Sequence, residues 1–186
     1  GNSGAGKVGA AVEGAEGTEE KERLRKLEAH LRELAANATI EVAMSYEHRA
    51  KGDIDNYELA YFKWLEAYET YDRNLRVSSS RPTGEIGKDA LLGMGRCKEL
   101  SYRGPAYDAT VLRGRPFSAQ GIYSGAEGCY EEFKAKYPQD APRFNIDQKL
   151  RHIADELARK DLHTGRYYEK VGNRQAANLY YQMVLR

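Results

Sequence analysis

Apolar residues recur along most of this chain at intervals of three and four. Leu24, Leu27, Leu31 and Leu34 are spaced 3–4–3, and the pattern continues through Ile40, Ala43 and Tyr46 to a stop near "AKGD". That period places side chains on one face of a helix, and Thr18, followed by Glu19 and Glu20, reads as its N-cap. "NYELAYFKWLEAYETYDRN" predicts a second helix, "SSSRPTGEIG" a loop, and "KDALLGMGRCKEL" a third helix. "SYRGPAYDATVLRGRPFSAQG" mixes Gly and two Pro without a helical period and reads as a long connection. "SGAEGCYEEFKAKYP" is a fourth helix ended by Pro138. A fifth runs from about Ile146 to Gly172, with Leu150, Ile153, Leu157, Leu162 and Tyr168 on one stripe. "NRQAANLYYQMVLR" is the sixth. No stretch alternates with a period of two, so the predicted fold class is all-α.

The helices share a register. Ala126, Tyr130, Phe133 and Pro138 are spaced 4, 3 and 5; Ala177, Tyr181 and Val184 repeat the 4 and 3, as do Ala60, Trp64 and Ala67. Gly165, Tyr168 and Gly172 precede Ala177 with spacings of 3, 4 and 5. A small residue lets two helices approach, an aromatic fills the space beside it, and Gly or Pro ends each helix. This is the logic of a helical-hairpin repeat that buries its apolar face by stacking on its neighbours. The fourteen Tyr, against four Phe and one Trp, suit contacts with one apolar side and one wet edge.

In these positions the chain resembles the tetratricopeptide repeat (TPR). The resemblance is strongest in "TGRYYEKVGNRQAANLYYQMV"; in the middle repeat Gly95 matches and Lys98 replaces the usual aromatic. Ala60 and Ala126 are 66 residues apart and Ala126 and Ala177 are 51, against ~34 in a plain repeat. The resemblance therefore implies a right-handed superhelix of about three divergent hairpins, over residues 18–186, with an inserted loop at 102–118. "LARKDLHTGRYYEKVGNRQAANLYYQMVLR", together with "YDATVL" ahead of "AEGCYEEFKAKYP", is similar to the BamD/YfiO family of outer-membrane assembly lipoproteins over residues 85–186. That similarity implies a non-enzymatic scaffold on the periplasmic face of the outer membrane, binding envelope assembly proteins or extended peptides. It further implies that membrane attachment comes only through a lipid anchor upstream of this chain.

In such repeats the positions one, four and five after the small residue of the first helix line a concave groove. Counted from Ala43, Gly95 and Gly165, they are Met44, Glu47 and His48; Arg96, Glu99 and Leu100; and Arg166, Glu169 and Lys170. Glu recurs in all three sets and Arg in two. An Arg ladder there would grip a carboxylate or an acidic extended peptide. The plainer alternative is that Arg96–Glu99 and Arg166–Glu169 are i,i+3 surface pairs worth a few tenths of a kcal/mol. The inserted loop adds Arg103, Tyr107, Arg113, Arg115 and Phe117, a basic and aromatic set expected to contact a partner.

Charge and composition narrow the chemistry. The chain carries 29 basic and 28 acidic residues, so no global field recruits nucleic acid, and no apolar run is long enough to span a membrane. Cys97 and Cys129 have no metal-ligand spacing and read as buried thiols. His30, His48, His152 and His163 form no HxxxH or HExxH pattern, so neither a metal nor any other cofactor is expected. "GNSGAGKVGAA" matches GxxxxGK through Gly1, Gly6 and Lys7, and GxGxxG through Gly4, Gly6 and Gly9. No strand precedes it in this sequence, and Gly14 and Gly17 weaken the helix after it. Residues 1–17 are therefore expected to be a flexible, nucleotide-free leader, and the protein no enzyme. The alternative function is a generic TPR adaptor, or a coiled-coil-plus-TPR adaptor, that binds a peptide tail. Its coiled-coil seam would be the leucine stripe, although packing of that stripe against the first repeat is the primary expectation.

Overall fold

Two stops and a cap set the first hairpin. Helix α1 (Ala5–Ala50) ends where Lys51 turns left-handed at φ 41°, and Asp53 then caps α2 (Ile54–Leu75). The Asp53 carboxylate accepts from the Asp55 N–H at 3.1 Å, one of the backbone donors that a helix start leaves unpaired, and also from the Asn56 side-chain Nδ2 at 3.0 Å. Helices α3 (Gly84–Leu100), α4 (Ala126–Lys136), α5 (Ile146–Lys170) and α6 (Arg174–Val184) follow. The structure is a computed structural model that describes residues 5–51, 53–75, 84–113 and 125–185. Among the described residues there is no strand, and the fold is all-α.

Each helix packs on the next in sequence, and α1 also touches α3. A helix held between two neighbours must be apolar on two sides, and α2 and α3 are. Tyr57, Ala60, Tyr61, Trp64, Leu65, Ala67 and Tyr68 are buried on α2, as are Ala90, Leu91, Met94 and Cys97 on α3. One core cluster runs from Ala36 through α2, α3 and α4 to Leu157 of α5, with Tyr130, Phe133, Ile146 and Ile153 at its centre. Phe133 meets Phe144 edge-on at 5.6 Å between ring centroids. The α5–α6 hairpin stands at the edge of this core, where Ala177 is the buried residue of α6.

Two expectations for the N-terminal part differ from the structure. Helix α1 begins at Ala5, not Thr18, so most of the stretch expected to be a leader is helical and Thr18 lies inside a helix instead of capping one. Ala5, Ala10, Ala11 and Ala15 have the highest helix propensity, and extending an existing helix avoids the cost of nucleating one. Second, the leucine stripe does not pack on the first hairpin: Leu24, Leu27, Leu31 and Leu34 are 51–60% exposed. The α1 residues facing α2 are Ala36, Ile40, Ala43 and Ala50. At about 100° per residue, the two-residue step from Leu34 to Ala36 swings the apolar face by about 200°. The two stripes lie on opposite sides of one helix.

The described half of the long connection is tied down. The Val111 and Leu112 carbonyls each accept at 3.0 Å from the N–H groups of Ala126 and Glu127, capping the start of α4. Ala109 and Leu112 are buried beneath that cap.

Candidate functional site

The site expected from sequence lies on the first helix of each hairpin, and its geometry begins with two glycines. A β-carbon at Gly95 would stand 2.5 Å from Cε1 of Tyr130, and one at Gly165 would stand 2.6 Å from Cε1 of Tyr181. The aromatic of the second helix therefore lies directly on bare backbone of the first. Its polar end then needs a partner. The Tyr130 hydroxyl donates to Glu99 Oε2, and the Tyr181 hydroxyl donates to Glu169 Oε2 at 2.8 Å. In the first hairpin Ala43 is fully buried, and Trp64 Nε1 donates to Glu47 Oε2 at 3.3 Å. The bond from the aromatic's polar edge to a Glu four positions after the small residue occurs three times. The ring lies on the small residue of its own hairpin at Gly95 and Gly165, whereas the Trp64 ring lies on Gly93 of α3.

The recurring Glu residues are thus committed within the fold. Burial, reinforced by the Glu99 carboxylate, holds the Tyr130 hydroxyl well above the ordinary tyrosine range, so it stays a donor. Glu99 also faces Lys149 Nζ at 3.7 Å. The Tyr181 hydroxyl is raised chiefly by its bond to Glu169.

The two arginines, equivalent by position, are not equivalent in place. Arg96 reaches across to α1 and grips Glu47 with both Nε and Nη2, the latter at 2.9 Å. This bond raises the Arg96 guanidinium further above its already high range. Arg96 is therefore a fork between neighbouring hairpins, not half of an i,i+3 pair with Glu99. Arg166 is exposed, and so are Met44, His48, Leu100 and Lys170.

The loop residues divide in the same manner. Arg103 and Tyr107 are exposed, with the guanidinium 5.8 Å from the ring centroid. Arg113 is drawn to Asp161 of α5 at 3.7 Å. Arg115 and Phe117 lie outside the described residues. Also outside them are Gly1 and Gly4 of the nucleotide-like motifs, and of Lys7 only its place in α1 is described.

A notch of about 420 Å³ opens between this loop, α5 and α6, lined by Asp108, Arg113, Lys160, Asp161, Thr164 and Tyr180 among others. Of the expected residues that are described, only Arg113 lines it. Leu157, Lys160, Asp161 and Thr164 do share one stripe of α5, a signal present in the sequence. Its mixed charge made it indistinguishable from a solvated helix face.

Among the described residues, no His, Cys, Asp and Glu cluster has the makings of a metal site, and no helix is long and apolar enough to cross a membrane. All four histidines are exposed. Cys97 and Cys129 are buried free thiols, and burial pushes each up to about 12, so both stay protonated near neutrality. Comparison with known proteins finds no matching family model, no matching curated protein and no matching solved structure.

Proposed function

We propose that this protein is a non-enzymatic scaffold built of TPR-like hairpins. Its groove, floored by the first helices of the hairpins, takes an extended, acidic segment of a partner protein. The observation that carries this reading is the threefold aromatic–Glu contact, Glu47 with Trp64, Glu99 with Tyr130 and Glu169 with Tyr181. In a repeat array, hairpins that share such a register would bring their equivalent first-helix positions onto one surface. On that surface Arg166 and Lys170 are exposed cations, with Met44 and Leu100 as exposed apolar contacts. Together these suit a peptide carrying carboxylates between apolar side chains. The similarity of residues 85–186 to the BamD/YfiO family supports placing the scaffold in the cell envelope, among outer-membrane assembly proteins, with a lipid anchor upstream. A second reading, an adaptor that joins a coiled coil to TPR hairpins in any compartment, is favoured by the exposed leucine stripe of α1.

The test reverses the exposed cations and leaves the structural one alone. Charge-assisted bonds are worth ~1.5–3 kcal/mol, so Arg166→Glu with Lys170→Glu should weaken capture of an acidic extended peptide at least about tenfold. Fluorescence polarisation of a labelled peptide reads the affinity, and circular dichroism checks helicity. Unchanged affinity in the double variant would remove the groove from the reading and direct attention to the notch beside Arg113. Envelope fractionation of the full-length precursor tests the compartment separately.

A further inference from the structure

Among the described residues nothing covers the leucine stripe of α1, and the geometry says why. Leu24, Leu27, Leu31 and Leu34 project from the side of α1 opposite Ala36, Ile40, Ala43 and Ala50, which face α2. In heptad terms Leu24 and Leu31 fall at a and Leu27 and Leu34 at d, whereas Ala36 and Ala43 fall at f, the position farthest from the seam. The hairpin body therefore sits behind the seam and leaves it open to a second helix. Four half-exposed leucines in a row form an apolar strip of the kind that marks a contact surface.

We infer that this strip is the interface of a homodimer in which two α1 helices pair in parallel and in register. The flanking charges select a second copy and this orientation. Arg23 occupies a g position and Glu28 the e position five residues on. In a parallel pair each Arg23 faces the other copy's Glu28, so the attraction forms twice. In an antiparallel pair with the same leucine layers, Glu28 instead faces its own counterpart across the axis, an unfavourable contact. Arg23 and Glu28 are both exposed; Glu28 also pairs with Arg32 of its own helix yet keeps 60% of its side chain exposed. Glu20 and Glu41 take the next d positions on either side and bound the contact. The inference does not depend on the groove, because the seam and the groove residues are separate surfaces.

Sedimentation velocity at about 100 µM tests the assembly, a concentration that reveals even a short seam of moderate affinity. The wild-type chain should run as a dimer. Leu27→Glu with Leu31→Glu should run as a monomer of unchanged helicity, since neither leucine serves the hairpin core. Glu28→Arg should weaken the dimer by placing Arg against Arg23, and Arg23→Glu in the same chain should restore it. For orientation, the Leu27→Cys variant alone should give a disulfide-linked dimer on mild oxidation, with wild type as control because Cys97 and Cys129 are buried. A wild-type monomer overturns the inference. So does a dimer that survives the double Glu variant. An antiparallel pair would show itself when Leu27→Cys chains cross-link to Leu31→Cys chains but never to one another, and that result overturns it too.

Discussion

Tyr130 spends both ends of its side chain: the ring covers Gly95 and the hydroxyl serves Glu99. Such a ring has little freedom to retreat, because it is fully buried in the core cluster. Gly95→Ala should therefore destabilise by ~1–3 kcal/mol, even though Ala at a helix interior is worth about 1 kcal/mol over Gly. Gly165→Ala makes the same intrusion on Tyr181, which is only half-buried at the edge of the stack and can swing aside. Its net cost should stay within about 1 kcal/mol. Urea unfolding of the two variants checks the order, and equal losses would mean that both rings are equally confined. The register of small and aromatic residues was legible in the sequence because it is local to each helix. The partners of the polar groups were not. Arg96 had Glu99 three residues away as the nearest carboxylate, yet it bonds Glu47 across two hairpins, and no periodicity encodes that choice. Lys98, standing where the repeat expects an aromatic, keeps an aromatic contact by resting its ammonium 4.0 Å from the Tyr61 ring centroid.

At the scale of elements, the six helices of the described residues were readable from their 3–4 spacing, and several of their ends from Gly, Pro and Asn. Two starts differ: α1 begins at Ala5, ahead of its expected cap, and α3 at Gly84, inside the expected loop. The turn from α5 to α6 shows the mechanism. Gly172 holds φ 78°, a left-handed conformation that a β-carbon strains, and Asn173 accepts from the Ala176 N–H at 3.0 Å to cap α6. Gly172→Ala should cost roughly 1–2 kcal/mol, and Asn173→Ala typically ~1 kcal/mol. Hydrogen exchange should show both losses as faster exchange confined to α6 and the last turn of α5. Exchange rates in α6 that do not respond to either substitution would mean that packing alone positions the turn. Where the element reading failed, at α1, the cause was phase. Leu24 to Leu34 and Ala36 to Ala50 each keep helical spacing, so they looked like one stripe. The two-residue step between them reverses the face. A helix that serves two surfaces carries two stripes, and only the step between them records it.

For the whole molecule, the order of packing decides how far damage travels. Helices contact their neighbours in sequence, so stability is set by successive interfaces more than by one centre. Trp64 sits at the busiest of them. Its indole bonds Glu47 of α1, and a β-carbon on Gly93 of α3 would collide with its ring, so it is wedged between three helices. Trp64→Ala should cost ~3–5 kcal/mol and should speed exchange throughout α1 from Ala36 onward, α2 and α3. Ala177 occupies the opposite extreme, the buried point of a helix that packs on α5 at the edge of the core. Ala177→Leu should overpack that contact at ~1–3 kcal/mol and open α6 while α3 and α4 keep their protection. A globally cooperative domain would respond otherwise: either substitution would raise exchange everywhere by the same free energy. Finding that uniform response to Ala177→Leu would show that the last hairpin is part of one indivisible core, and that the molecule does not behave as a stack.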